Sequence, residues 1–136
     1  MMEPMKVLLI EDNKTDAFVI RHRLEAAYPQ SDIITAKSLR EALSFIQNSM
    51  FLLILSDLNL TDSMGPRTIE AIRKIDKKTP ILALTGFKTN LTEEEALKLG
   101  ANEVISKLDI SSRDFLDSIE RCMAYRNNSN SDVVYI

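Results

Sequence analysis

Five short apolar runs alternate with five longer segments of helical spacing, and this alternation constrains the fold more than any other feature of the chain. The short runs are Val7-Leu8-Leu9-Ile10, Ile33-Ile34-Thr35, Leu52-Leu53-Ile54-Leu55, Ile81-Leu82-Ala83-Leu84 and Val104-Ile105. Near-continuous apolar runs of this length suit strands buried on both faces, as in a parallel sheet. Between them lie amphipathic stripes. Ala17, Ile20, Leu24 and Ala27 form the first, and Leu39, Ala42, Leu43 and Ile46 the second. Ser38 stands as N-cap of the second, with Glu41 as its capping-box partner. Ile69, Ile72 and Ile75 make a third stripe. Thr92 and Glu95 read as a capping box that opens a short fourth helix with Ala96, Leu97 and Leu99, ended by Gly100. Phe115, Leu116, Ile119, Cys122 and Met123 complete a fifth. Strand–helix alternation with right-handed crossovers predicts an α/β fold, a doubly wound parallel sheet with helices on both faces.

Composition narrows the function classes. The 136 residues carry 17 Lys plus Arg against 20 Asp plus Glu, a net charge of −3 with no basic block, which argues against a nucleic-acid partner. No apolar run approaches the ~20 residues that span a bilayer, and the first six residues lack a signal-peptide core. The single cysteine, Cys122, has no internal disulfide partner, which favours a reducing compartment. These features predict a cytoplasmic protein without a membrane partner. One domain is expected over residues 5–125, and the Asn/Ser-rich segment 126–136 reads as a flexible tail.

In open α/β sheets, ligands bind outside the carboxyl ends of the strands. The first strand ends in Glu11-Asp12, the third in Ser56-Asp57 followed by Leu58-Asn59, the fourth in Thr85-Gly86 and the fifth in Ser106-Lys107. Three carboxylates, one hydroxyl and one ammonium thus converge on one edge. The carboxylates repel one another, and a single lysine cannot balance them. A hard divalent cation can: Mg²⁺, or Mn²⁺ as an alternative, takes oxygen ligands and keeps some of its waters. Asp57, between the acid pair and the lysine, is the best candidate for an attacking carboxylate in phosphoryl transfer. Lys107 and the Thr85 hydroxyl would each hold a phosphoryl oxygen, and Gly86 leaves room beside that hydroxyl.

These motifs resemble the receiver domain of two-component response regulators over roughly residues 5–124. Val7 to Asn13 resembles the family's first strand and acidic pair. Leu53 to Leu60 resembles its phosphoacceptor strand, Ile81 to Gly86 its Thr/Ser strand, and Gly100 to Lys107 its Gly-Ala lead into the lysine. The resemblance implies a flavodoxin-like five-stranded sheet of order 2-1-3-4-5. It implies that Asp57 is the phosphoacceptor and that Mg²⁺ is bound by Asp12, Asp57 and the backbone carbonyl of Asn59, with Glu11 supporting through water. Thr85 and Lys107 would coordinate the phosphoryl group. The donor would be a phosphohistidine on a histidine kinase or a histidine phosphotransfer protein. The output would run through contact with a downstream protein.

Three positions depart from the family pattern. Leu108 follows the lysine where proline is usual, and the cost of a non-proline cis bond, ~2.5–4 kcal/mol, favours trans. Val104 stands where the family's switch aromatic usually sits, so the switch needs another route, with Phe87 as the candidate. Thr61 stands where a proline is common and is expected to loosen the loop after Asp57. Two rival readings rest on the same residues. A haloacid-dehalogenase-type phosphatase wants a second acid two residues after the nucleophile, and Asn59 cannot serve as general acid or base. A degenerate receiver that only binds partners fits Val104 and Leu108 but not the full set of Asp12, Asp57, Thr85 and Lys107. Elsewhere Asp16 and the lone His22 read as solvated helix residues, Asp76-Lys77-Lys78 as a solvated helix end, and Cys122 as a small core residue.

Overall fold

The computed structural model describes residues 5–134, with side chains through residue 125. In chain order the elements are β1 (Met5–Ile10), α1 (Lys14–Ala27), β2 (Ser31–Ala36), α2 (Leu39–Asn48), β3 (Leu53–Asp57), β4 (Asn59–Leu60), β5 (Ser63–Met64), α3 (Arg67–Ile75), β6 (Ile81–Thr85), α4 (Asn90–Leu99), β7 (Glu103–Ser106), a 3-10 turn at Lys107–Asp109, and α5 (Arg113–Val134). Five strands pair in parallel in the order β2-β1-β3-β6-β7. This is the expected 2-1-3-4-5 once the two-residue strands β4 and β5, a separate antiparallel hairpin, are set aside.

Strand alternation splits the core into two layers. Leu8, Ile10, Ile54, Ile81, Ala83 and Val104 point to one face and pack with Ala42, Ile46, Ile69, Ile72 and Ala96 from α2, α3 and α4. Val7, Leu9, Leu53, Leu55, Leu82, Leu84 and Ile105 point to the other and pack with Ile20, Leu24, Phe115, Ile119 and Cys122 from α1 and α5. Both faces being covered, every side chain of β3 and β6 is buried. Each strand's carboxyl end then meets the start of the next helix or loop, where backbone polar groups face outward and side chains converge.

Local signals hold with three shifts. Ser38 caps α2 as expected, accepting from the Glu41 N–H at 3.1 Å. Gly100 ends α4 at φ 123°, a left-handed conformation that favours glycine, and a Cβ there would stand 2.6 Å from Arg73 Cγ. The N-cap of α4, however, is Thr89 rather than Thr92; its hydroxyl accepts from the Thr92 N–H at 3.1 Å, and the helix opens at Asn90. Both threonines have a residue three positions on that can complete a cap. Extended backbone at Thr89, with Thr92 already helical, decides which one acts. The Asp76 carboxylate is not simply solvated: it accepts from the Lys78 and Thr79 N–H groups and from the Thr79 hydroxyl. Lastly, α5 runs to Val134 and takes in most of the segment whose composition reads as a tail. Adding a residue to a formed helix costs far less than starting one.

Candidate functional site

Four of the converging groups meet at the carboxyl edge. Glu11 follows β1, Asp57 closes β3, and Lys107 follows β7; the sheet register alone brings these strand ends side by side. Glu11 and Asp57 are almost wholly buried, at 1% and 2% exposure. Carboxylate oxygens of Glu11, Asp12 and Asp57 lie within 4.8 Å of one another. Lys107 Nζ reaches Asp57 Oδ2 at 3.0 Å and faces Glu11 Oε1 at 2.5 Å, the latter an ion pair without hydrogen-bond geometry. The Asn59 N–H donates to Asp57 Oδ1 at 3.0 Å, and the Asn13 N–H to Glu11 Oε2 at 3.2 Å.

The electrostatics follow from burial. Taking the Glu11 carboxylate out of water, with Asp57 beside it, pushes its pKa up from 4.5 to about 7; Lys107 and the Asn13 N–H offset only part of this. Burial alone would lower the Lys107 pKa, but its contacts with Glu11, Asp16 and Asp57 outweigh burial and raise it, so the ammonium is firmly charged. A buried set of oxygen donors with excess negative charge fits a hard divalent cation. The residues that could hold one are Glu11, Asp12 and Asp57.

Thr85 lies at the end of β6, beside Ser106 of β7, and its hydroxyl donates to the Phe87 carbonyl at 3.3 Å rather than to the carboxylates. Phe87 is 78% exposed. Val104 is buried in the core with Ala83 and Ala96. A Cβ built on Gly86 would meet no atom within 4 Å, so the space beside Thr85 is open. No described peptide bond is cis, in line with the expectation at Leu108. Its N–H, which a proline would lack, donates to Ser106 Oγ at 3.1 Å and caps the 3-10 turn after Lys107.

Two residues were missed in the sequence. Asp16 is not merely solvated: Lys107 Nζ donates to its Oδ2 at 2.9 Å. Its position one turn beyond Asp12 at the start of α1 was the available signal. Asp62 ties the loop after Asp57 to α2, its two oxygens accepting from the Leu39 and Arg40 N–H groups at 2.9 and 3.0 Å. The loop that Thr61 was expected to loosen is therefore fastened by this bond pair and by the β4–β5 hairpin. A groove of about 580 Å³ lies at the opposite edge, lined by Arg73, Asp76, Thr79, Asn102 and Tyr125. Arg73, Asp76 and Asn102 there already bond within the chain, and the groove's other charged side chains, Lys77 and Lys78, are cationic, so it lacks the carboxylate surplus of the carboxyl edge.

The family model for the response regulator receiver domain matches residues 7–120. The chain belongs to the response regulator receiver domain family. A receiver is a phosphoacceptor module of two-component signalling, and the acidic pocket of Glu11, Asp12 and Asp57 is typical of a receiver Mg²⁺ site. The receiver is 36% identical over 106 residues to the autoinducer 2 sensor kinase/phosphatase LuxQ of Vibrio parahaemolyticus, covering 77% of this chain and 12% of that protein. It is 25% identical to the transcriptional regulatory protein ZraR of Salmonella typhimurium, covering 93% of this chain and 28% of that protein. The chain thus spans a minor part of these curated relatives. Among solved structures, the receiver resembles the chemotaxis protein CheY4 of Vibrio cholerae, with TM-score 0.77, 29% identity and coverage of 88% of this chain and 98% of that one. A CheY-like receiver from Methanospirillum hungatei shares the fold at TM-score 0.81 and 23% identity, over 93% of this chain and 98% of that one. Among the described residues, no helix is long and apolar enough to cross a membrane.

Proposed function

We propose that this receiver takes a phosphoryl group on Asp57 from a phosphohistidine of a histidine kinase or histidine phosphotransfer protein. The observation that carries the reading is the setting of Asp57: a buried carboxylate with Oδ2 on Lys107 Nζ, Oδ1 on the Asn59 N–H, and Glu11 and Asp12 within ligand reach. An Asp57 oxygen attacks phosphorus, the P–N bond to the imidazole breaks, and its electron pair leaves with the histidine nitrogen. Asp12, Asp57 and the Asn59 carbonyl would hold Mg²⁺, with Glu11 supporting through water, and the ion would supply positive charge for the phosphoryl oxygens. Lys107 holds one phosphoryl oxygen as a point charge. The Thr85 hydroxyl turns from the Phe87 carbonyl to another, and Gly86 leaves its path open.

That turn frees the Phe87 carbonyl and changes the loop between β6 and α4. With Val104 in the aromatic's usual place, the signal leaves through Phe87 rather than through a ring on β7. The altered surface then meets a downstream protein in the cytoplasm. Water attack on phosphorus slowly restores Asp57. The receiver unit is residues 5–125, followed by the 126–136 segment. Intact-mass measurement after incubation with Mg²⁺ and acetyl phosphate or phosphoramidate tests the reading. An adduct of ~80 Da is expected, absent in Asp57→Asn; no adduct, and no response to beryllofluoride, would refute it.

A further inference from the structure

We propose that Asp16 is a positioning residue that holds Lys107 back from the phosphoryl group and so limits how readily Asp57 is phosphorylated. This rests on the reading of Asp57 as phosphoacceptor. An ammonium has three N–H donors, and Lys107 faces three carboxylates: Glu11 at 2.5 Å, Asp16 at 2.9 Å and Asp57 at 3.0 Å. Two donors are spent on Asp16 and Asp57, and Glu11 Oε1 closes the remaining side of the ammonium, so a phosphoryl oxygen has no open approach to it. One contact must yield, and the three differ in what yielding costs. The Glu11 and Asp57 side chains are 0% and 2% exposed, so losing the ammonium leaves a buried carboxylate without its cation. The Asp16 side chain is 42% exposed and can turn to water. Asp16 is therefore the exchangeable partner.

A divalent cation in the pocket does not remove this competition. Asp16 lies outside the group formed by Glu11, Asp12 and Asp57. A cation among those three takes over their charge and leaves Asp16 as the competing acceptor on Lys107. Asp16 sits in the first turn of α1, whose start is fixed by Asn13 accepting from the Asp16 N–H at 2.9 Å, so its carboxylate is delivered by a rigid element. Phosphorylation then proceeds as an exchange: the Asp16 oxygen leaves Lys107 Nζ for water, and a phosphoryl oxygen takes its place.

The experiment compares the unaltered chain with Asp16→Asn, Asp16→Ser and Asp16→Glu. Asp57 acyl phosphate is followed by intact mass at subsaturating acetyl phosphate and saturating Mg²⁺. Loss of the acyl phosphate is followed after the donor is removed. Asp16→Asn and Asp16→Ser are expected to form the adduct about two- to five-fold faster and to lose it more slowly by a similar factor, the range an exposed ion pair allows. Asp16→Glu, which keeps the charge, is expected to return toward the unaltered rates; a merely structural role would not sort the variants by charge. Equal or slower formation in both neutral variants would overturn the proposal. No adduct on the unaltered chain would instead overturn the phosphoacceptor reading, and this proposal with it.

Discussion

Arg73 and Lys107 sit at opposite edges of the same sheet and are partnered in opposite ways. At the amino edge, Arg73 Nε donates to the Gly100 carbonyl at 3.0 Å, one terminal nitrogen to the Asp76 and Thr79 carbonyls at 3.1 and 2.7 Å, and the other to Asn102 Oδ1 at 3.1 Å. Asn102 Oδ1 also accepts from the Ile81 N–H at 2.9 Å, which ties the start of β6 into the same network. Burial pulls the Arg73 pKa down, but a guanidinium stays charged, and fixed dipoles satisfy it in the planar fork it requires. At the carboxyl edge, one ammonium faces Glu11, Asp16 and Asp57, with Asp12 close by. There the surplus is negative and belongs to groups that cannot all be comfortable at once. Neutral acceptors finish a structure; surplus carboxylates leave it waiting for a ligand.

The contrast can be broken from either end. Arg73→Met leaves the Gly100, Asp76 and Thr79 carbonyls short of a donor and should destabilise the fold by about 2–4 kcal/mol, read from a urea melt. Glu11→Gln should act in the opposite sense. The folded Glu11 carboxyl binds its proton more tightly than its unfolded form, with a pKa of about 7 against 4.5. Its contribution to stability is therefore present below pH 4.5 and is lost as pH rises through 7. Metal-free Glu11→Gln at pH 8 should then be more stable than the unaltered chain by about 1–2 kcal/mol, with a flatter profile between the two pKa values. Equal stabilities across that range would show that the acid cluster stores no such cost.

Asp62→Ala is the smallest of the three, because Asp62 is exposed. Losing its bonds to the start of α2 should cost about 0.5–1 kcal/mol. Burial slightly opposes ionisation of Asp62, but the Arg40 and Leu39 N–H groups prevail and hold its pKa below the usual 3.8. Its contribution is present above that value and fades as pH falls through the folded pKa, so the deficit of Asp62→Ala should close in acid. A thermal melt at two pH values checks this.

The sheet was legible because strands buried on both faces write themselves as apolar runs, and Ser38 with Glu41 marked a helix start in local sequence. The two-residue strands of the β4–β5 hairpin are too short to carry any period. Arg73, which lies outside the site, escaped the sequence for the same reason as Asp16. Each looks like an ordinary charged residue on an amphipathic helix, and the partners that give it meaning lie far along the chain: Gly100 and Asn102 for Arg73, Lys107 for Asp16. Glu11, Asp12, Asp57 and Lys107 were legible because each stands at a strand end, and parallel strand ends converge whatever the helices between them do.

Mg²⁺ titration of the melting temperature tests most directly whether the carboxyl edge is built to await a cation. A ligand that binds only the folded state raises stability in proportion to the logarithm of its excess over Kd. The melting temperature of the unaltered chain should climb through the millimolar Mg²⁺ range, and Asp12→Asn and Asp57→Asn should each abolish the climb. Arg73→Met should melt lower yet keep the full Mg²⁺ response. A melting temperature indifferent to Mg²⁺ in the unaltered chain would contradict the assignment of the acid cluster as a cation site.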